Sequence, residues 1–143
     1  MAMDDLVTRA MDLAAVKGAA YSDVRLVETN QERFVVRTGV VDTLSNDESQ
    51  GIGVRVLVNG SWGFASTNIL SPDEVDRITS LAVEIAQAAA QSGNGPVSLG
   101  PPVTSRGVYT TPIQIDPFSV SSEYKLRLLL EADRRMGSVK GIS

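Results

Sequence analysis

The sequence predicts an α+β domain: a mainly antiparallel β-meander with three helices, one N-terminal, one central and one C-terminal, packed on one face. Three observations predict it. Apolar residues recur at helical spacing in three separate stretches. Between the first and second of these, over residues 21–67, the apolar period falls to two. The links between successive period-two runs are only a few residues long, too short for the crossover that parallel neighbours need. Helices covering one side of an antiparallel sheet are a standard solution to burying both. At 143 residues the chain is expected to form one domain over 1–143. A chain of that length buries roughly 68–70% of its unfolded surface and needs no covalent staple.

Residues 4–17 read as the first helix. Leu6, Ala10, Leu13 and Ala14 fall on one face, widened by Val7 and Met11. Asp4 and Asp5 lie in the first turn and Lys17 in the last, the signs that the helix dipole favours. Gly18 follows as a C′ residue able to take positive φ. Residues 22–28 then alternate, with Val24 and Leu26 on one side and Asp23 and Arg25 on the other. Residues 32–38 alternate likewise, with Phe34 and Val36 opposed to Arg33 and Arg37. Asn30-Gln31 reads as the reversal between these runs, and residues 40–44 as a third run. Residues 51–58 place Ile52, Val54, Val56 and Val58 on one face and Gly53, Arg55 and Leu57 on the other. Asn59-Gly60 is a strong type I′ hairpin signal, because both residues tolerate positive φ. Residues 61–66 form the return strand, with Trp62 and Phe64 sharing a face.

Ser71-Pro72-Asp73-Glu74 opens the central helix. Ser71 and Glu74 have capping-box spacing, and Pro72 at the first helical position gives up no intrahelical bond. Val75, Ile78, Ala82, Ile85 and Ala89 make its stripe, and the helix is expected to end near Gln91, ahead of Gly93-Asn94-Gly95-Pro96. Residues 93–102 read as an irregular loop. Residues 108–115 are expected to be extended, and Pro112, lacking a ladder donor, puts them at a sheet edge. Asp116-Pro117-Phe118 reads as a turn. Ser121 or Ser122 caps a last helix running to Met136, with Tyr124, Leu128 and Leu129 inward and Gly137 as its stop. Residues 138–143 read as the start of a further part of a longer chain.

Composition excludes much chemistry. The chain has no cysteine and no histidine, so it lacks thiol nucleophiles, thiolate ligands and the commonest general base and transition-metal ligand. Its net charge is −4, its pI is about 4.8, and its basic residues are scattered, which argues against direct nucleic-acid contact. No apolar run approaches the ~20 residues of a membrane helix. The acidic amphipathic N-terminus is unlike a signal peptide, so a cytoplasmic location is expected and no membrane partner.

Four groups of residues invite a functional reading. Gly51-Ile52-Gly53 suggests a phosphate loop but lacks the third glycine, the GK[ST] ending and a following helix. The plainer reading is that Gly53 lets another backbone or a large ring pack closely on the sheet. Asp42, Asp47 and Glu48, with Ser45, Asn46 and Ser49, carry oxygen ligands for calcium or magnesium, but without EF-hand spacing; a solvated turn accounts for them. Arg33, Arg37 and Arg55 could meet an anion, or pair across strands with Asp23, Asp42 or Glu28. Ser66-Thr67 and Ser121-Ser122 are hydroxyls without a histidine. Ser122 and Lys125 have Ser-x-x-Lys spacing, yet they fall where a helix cap is expected.

The run Glu48-Ser49-Gln50-Gly51-Ile52-Gly53-Val54-Arg55, continued by Gly60-Ser61-Trp62-Gly63-Phe64-Ala65-Ser66-Thr67, resembles the N-terminal signature of the TldD/PmbA family, once described as candidate modulators of DNA gyrase. Residues 18–25, and 111–118 with Val120, Ser121 and Lys125, resemble its flanking segments. Within this resemblance Glu48, Ser49, Gly51, Gly53, Arg55, Gly60, Trp62, Gly63, Phe64 and Ser66 are signature positions without an assigned role.

TldD-type members of that family resemble zinc metallopeptidases with an HExxxH motif late in a longer chain. No residue here matches that motif, so the resemblance implies no catalytic or metal-binding residue in this chain, and zinc only in a missing downstream half. It also implies pairing of TldD-like with PmbA-like subunits, as a homo- or hetero-oligomer, around a cavity that takes unfolded or extended peptides such as peptide-antibiotic precursors and antitoxins. On this reading the chain is a non-catalytic scaffold and interaction domain, with residues 108–115 as one edge to which a peptide could add. Two other readings stand beside it. One is a free-standing module that regulates a gyrase- or antitoxin-type partner. The other is an enzyme built on carboxylates and a divalent metal, against which the missing imidazole and thiol groups weigh.

Overall fold

The structure is a computed structural model that describes residues 3–92, 95–101 and 103–141. The elements run α1 (Met3–Val16), β1 (Tyr21–Arg37), β2 (Val40–Val58), β3 (Ser61–Thr67), α2 (Pro72–Ala90), a 3₁₀ turn at Pro117–Ser119 and α3 (Ser122–Gly137). The strands form one sheet in the order β1-β2-β3. The fold is therefore α+β, as the sequence predicts. Two compact units divide the chain. The first holds Met1–Thr29 and Ser49–Thr104, and the second Asn30–Glu48 and Ser105–Ser143.

In the first unit α2 packs on β3 and α1 packs on α2. The core joins Leu6, Ala10 and Ala14 of α1 to Ile52, Val54, Val56 and Val58 of β2, Ala65 of β3, and Val75, Ile78, Ala82, Val83 and Ala86 of α2. Val24 and Leu26 of β1 pack against its rim. Helix α1 ends at Val16, one residue before the expected Lys17. Gly18, at φ +87°, closes it in a Schellman arrangement: Ala19 N donates to Ala14 O and Gly18 N to Ala15 O. Ser71 Oγ accepts from Glu74 N, as expected. The reciprocal half of the capping box is not made, because the Glu74 carboxylate pairs with Arg77 at 2.6 Å. The buried face of α2 is also broader than the expected stripe. Thr79, Val83 and Ala86 are buried, whereas Ile85 is 40% exposed. The buried hydroxyl of Thr79 is satisfied by Val75 O at 2.7 Å.

The strands differ most from expectation. Residues 30–31 are not a reversal: β1 runs unbroken through them for 17 residues. The turn falls at Thr38-Gly39, with φ of 51° and 76°, and β2 continues for 19 residues through the acidic stretch read as a loop. Polar residues there mark a ribbon without a core on either side, not a break in the strand. Asn59-Gly60 does form the expected tight turn, with φ of 50° and 76°. Residues 108–115 carry no strand, and Val108 and Tyr109 are 96% and 85% exposed. Without a strand they offer no formed sheet edge to a peptide.

In the second unit Ser121, not Ser122, caps α3 by accepting from Tyr124 N. Lys125 pairs with Glu32 and lies 5.3 Å over the Phe34 ring, while Asp133 Oδ2 accepts from Gly39 N at 2.6 Å. Leu129 is half-buried as expected, but Tyr124 and Leu128 face solvent. The expected loop residues Gly93, Asn94 and Pro102, and the tail residues Ile142 and Ser143, lie outside the described residues.

Candidate functional site

Strand alternation and register assign each residue of β2 and β3 to a face. Pairs Val58–Ser61, Val56–Gly63, Val54–Ala65 and Ile52–Thr67 point toward the helices. Pairs Leu57–Trp62, Arg55–Phe64 and Gly53–Ser66 point away. Since Val24 and Leu26 turn to the core, β1 adds Tyr21, Asp23, Arg25 and Val27 to the helix-free face.

This open face has a floor of glycine. A Cβ on Gly53 would lie 3.0 Å from the Phe64 ring, so the missing side chain is what lets the ring lie over the strand. The sequence predicts that role for Gly53. Two shallow depressions share Phe64, Arg25 and Gly53. The larger, about 670 Å³, is also lined by Val27, Gly51, Ser66 and Asn68; the smaller, about 220 Å³, by Asp23 and Arg55. Phe64 is 57% exposed and Val27 56% exposed, so the trough is apolar at its walls. Beyond it Arg55 Nε donates to Asp23 Oδ2 at 2.8 Å, and its guanidinium stacks 4.8 Å over Trp62. Tyr21 meets Trp62 edge-on, ring centres 5.8 Å apart. Of the pairings open to Arg55 in the sequence, Asp23 is the one formed. Arg33 and Arg37 belong to the second unit.

The signature positions thus separate by task. Gly51, Gly53, Arg55, Trp62, Phe64 and Ser66 build the open face. Gly63 and Gly60 shape the scaffold instead. A Cβ on Gly63 would lie 1.9 Å from Ala82 O, and one on Gly60 2.5 Å from Pro96 Cβ. Ser49 and Glu48 are exposed on β2, Glu48 in the second unit. The β1 contributors Tyr21, Arg25 and Val27 are absent from the signature reading. Their alternation was visible in the sequence, but not which strand they lie beside.

Two of the polar groups singled out in the sequence are engaged elsewhere. Thr67 Oγ1 accepts from Ile69 N at 3.1 Å, and Lys125 is engaged by Glu32, away from any role as base to Ser122. Asp42 and Glu48 point to one side of β2 and Asp47 to the other, where Ser45 donates to it at 3.0 Å. The donor set does not fit zinc: there is no histidine or cysteine, and among the described residues no three carboxylates come together. Among the same residues, no helix is long and apolar enough to cross a membrane.

At the start of α2, Arg77 and the Thr67 hydroxyl hold the Glu74 carboxyl down from 4.5 to about 2. The sign follows from proton uptake. Below the ordinary carboxylate range the unfolded chain takes up a proton that native Glu74 refuses. This stabilisation is complete above about pH 5 and is lost as pH falls toward about 2. Glu74→Gln is expected to flatten that part of the acid limb, read as urea midpoints between about pH 3 and about pH 6.

Residues 22–86 match the family model of PmbA/TldA metallopeptidase domain 1. The chain is 23% identical to a metalloprotease of Methanocaldococcus jannaschii over 84% of its own length and 27% of that protein's. It is 27% identical to a metalloprotease of Methanothermobacter thermautotrophicus over 85% of its length and 25% of that protein's. It therefore spans about a quarter of these relatives. The crystal structure of TldE from Thermococcus kodakarensis superposes on 95% of this chain and 29% of its own, with a TM-score of 0.66 at 13% identity. A candidate modulator of DNA gyrase from Bacteroides thetaiotaomicron superposes on 98% of this chain and 31% of its own, with a TM-score of 0.67 at 19% identity. The signature run, the matched segment and the shared fold thus make residues 22–86 of this chain similar to the first domain of PmbA/TldA metallopeptidases.

Proposed function

We propose that this chain is a non-catalytic scaffold and interaction domain of a PmbA/TldD-type zinc metallopeptidase, forming part of the wall of a cavity for unfolded peptides and part of the contact between subunits. The zinc would be held by the remainder of such a protein. One observation carries this reading. Four of the ten signature positions, Gly51, Gly53, Phe64 and Ser66, line a solvent-facing trough with an exposed aromatic ring, in a chain without the histidine or cysteine donors of a zinc site. Gly53 seats the Phe64 ring over β2, and Gly51 leaves the strand without a side chain beside the trough. Phe64 and Val27 supply apolar contact, and Arg25, Ser66 and Asn68 supply polar contact at its rim. A shallow apolar surface with few fixed polar groups suits extended segments of varied sequence.

The test uses the whole chain. Ser66→Cys introduces its only thiol, to which an environment-sensitive fluorophore is attached. Reduced, carboxymethylated α-lactalbumin is expected to give a saturable signal, and native α-lactalbumin none. Phe64→Ala is expected to weaken the unfolded-chain response roughly fivefold, the effect of losing one central aromatic anchor. Equal response to both forms, or none to either, would overturn the reading. So would zinc-dependent cleavage of the unfolded protein by this chain alone.

A further inference from the structure

Helix α3 is held in the second unit along one side. Lys125 pairs with Glu32 there, Asp133 accepts from Gly39, and Leu129 between them is half-buried. The ridge one residue earlier is left to solvent, and it is apolar throughout: Tyr124, Leu128, Ala132 and Met136, at strict four-residue spacing. Tyr124 is 51%, Leu128 60% and Met136 53% exposed, and Ala132 is exposed too. Charged residues flank it with the same spacing and alternating sign: Glu123, Arg127, Glu131 and Arg135. A shallow groove of about 330 Å³ runs beside it, lined by Tyr124, Arg127, Leu128 and Glu131.

We infer that this ridge pairs with the same ridge of a second copy, the two helices running antiparallel about a two-fold axis near residues 129–130. Ridges of four-residue spacing interlock when helices cross at about −50°. About that axis, Leu128 of one copy faces the small Ala132 of the other, and Tyr124 faces Met136, a favourable sulfur–aromatic contact. A two-fold axis of this kind brings a flank against its own equivalent in reverse order. Glu123 then meets Arg135 of the second copy and Arg127 meets Glu131, so every flanking contact joins opposite signs. A parallel pair would instead bring this flank against the opposite one, where Lys125, Leu129 and Asp133 stand, and these four contacts would be lost. Within one copy Glu131 already pairs with Arg134 and Arg135, at 2.8 and 2.6 Å. Those pairs are exposed, and such pairs exchange for intermolecular ones at little loss. A single helix ridge is small beside a standard interface, so the dimer is weak and concentration-dependent. The inference gives the subunit-contact part of the proposed function a named surface and makes no use of the trough.

Sedimentation velocity on the full chain, from low to high micromolar, is expected to show monomer and dimer in exchange. Arg127→Glu places like charges together at both symmetric contacts and is expected to raise the dissociation constant roughly tenfold. The exchange Arg127→Glu/Glu131→Arg restores the complementarity in reverse and is expected to return it to within about threefold of the original. Arg127 is exposed, lying 5.5 Å over the Tyr124 ring, and Glu131 is half-buried; an unchanged far-UV spectrum checks that the fold is kept. A chain monomeric throughout, an unchanged constant for Arg127→Glu, or failure of the double exchange to restore association would each overturn the inference. Self-association without a peptide response sinks only the trough reading, and a peptide response without self-association sinks only this one.

Discussion

Gly63→Ala is expected to lower unfolding free energy by about 3 kcal/mol or more, at the upper end of what overpacking costs. The added Cβ would lie 1.9 Å from Ala82 O and 2.7 Å from Ala86 N. Both are backbone atoms of α2, so no rotamer change relieves the clash. Strand β3 and helix α2 must move apart, and that opens the core between Val56, Ala65, Ile78 and Ala82. For a domain of this size the corresponding fall in melting temperature is roughly 10 °C. Gly53→Ala is the control on the same sheet. Its Cβ would meet only the edge of the Phe64 ring, at 3.0 Å, and that ring is more than half exposed and free to turn outward. A loss within about 1 kcal/mol is expected there. Urea midpoints for the two variants check the contrast. Equal losses would mean that β3 does not approach α2 as closely as described.

Ile78→Ala is expected to destabilise by about 2–5 kcal/mol, the range for removing a large aliphatic side chain from a closed core. Ile78 has no exposed surface. Ile85, two turns later on the same helix, is 40% exposed. Ile85→Ala is expected to cost less than about 1 kcal/mol, because water already reaches the site and alanine is the better helix former. The pair also measures how α2 is rotated. The period-based stripe gives both isoleucines the same environment, whereas the structure shifts burial toward Thr79, Val83 and Ala86 along the second half of the helix. Chemical denaturation of both variants, at constant m-value, decides between these placements.

Much of the fold was legible because it rests on local chemistry. Gly18 and Asn59-Gly60 could be read directly, since each answers a backbone demand for positive φ. Ser71-Pro72 marked the start of α2 for the same kind of reason: a hydroxyl acceptor and a missing donor suit that position in any protein. The apolar faces of α1, β2 and β3 followed from period. The turn at Thr38-Gly39 could not be read. A β-branched residue at φ 51° runs against propensity, and Asp133, 94 residues away from Gly39, holds the turn by accepting from its amide. Asn30-Gln31 and the polar residues 45–49 looked like turns because period-two analysis detects a strand only where one face is buried. The ribbon they form buries neither face well. The exposure of Tyr124 and Leu128 was hidden for a related reason: α3 has apolar residues on two adjoining ridges, and spacing alone does not say which one the second unit engages.

The candidate site divides along the same line. The signature glycines, Trp62, Phe64 and Arg55 could be singled out from the sequence, and Gly53 could be given its role beneath a ring. Their sorting into an open trough and a packing scaffold came from register. Gly63 and Phe64 are neighbours in sequence, yet one is pressed against α2 and the other faces solvent.

By itself the sequence determined the α+β class, the caps at Gly18 and Ser71, the tight turn at Asn59-Gly60 and the absence of imidazole and thiol groups, whereas Gly137, expected to stop α3, lies within it. Each of these depends on residues close together in the chain or on composition alone. Tertiary structure decided where β1 turns back, which ridge of α3 is covered and which strand residues share the open face. Those depend on contacts between residues far apart in sequence, whose energies no local pattern encodes.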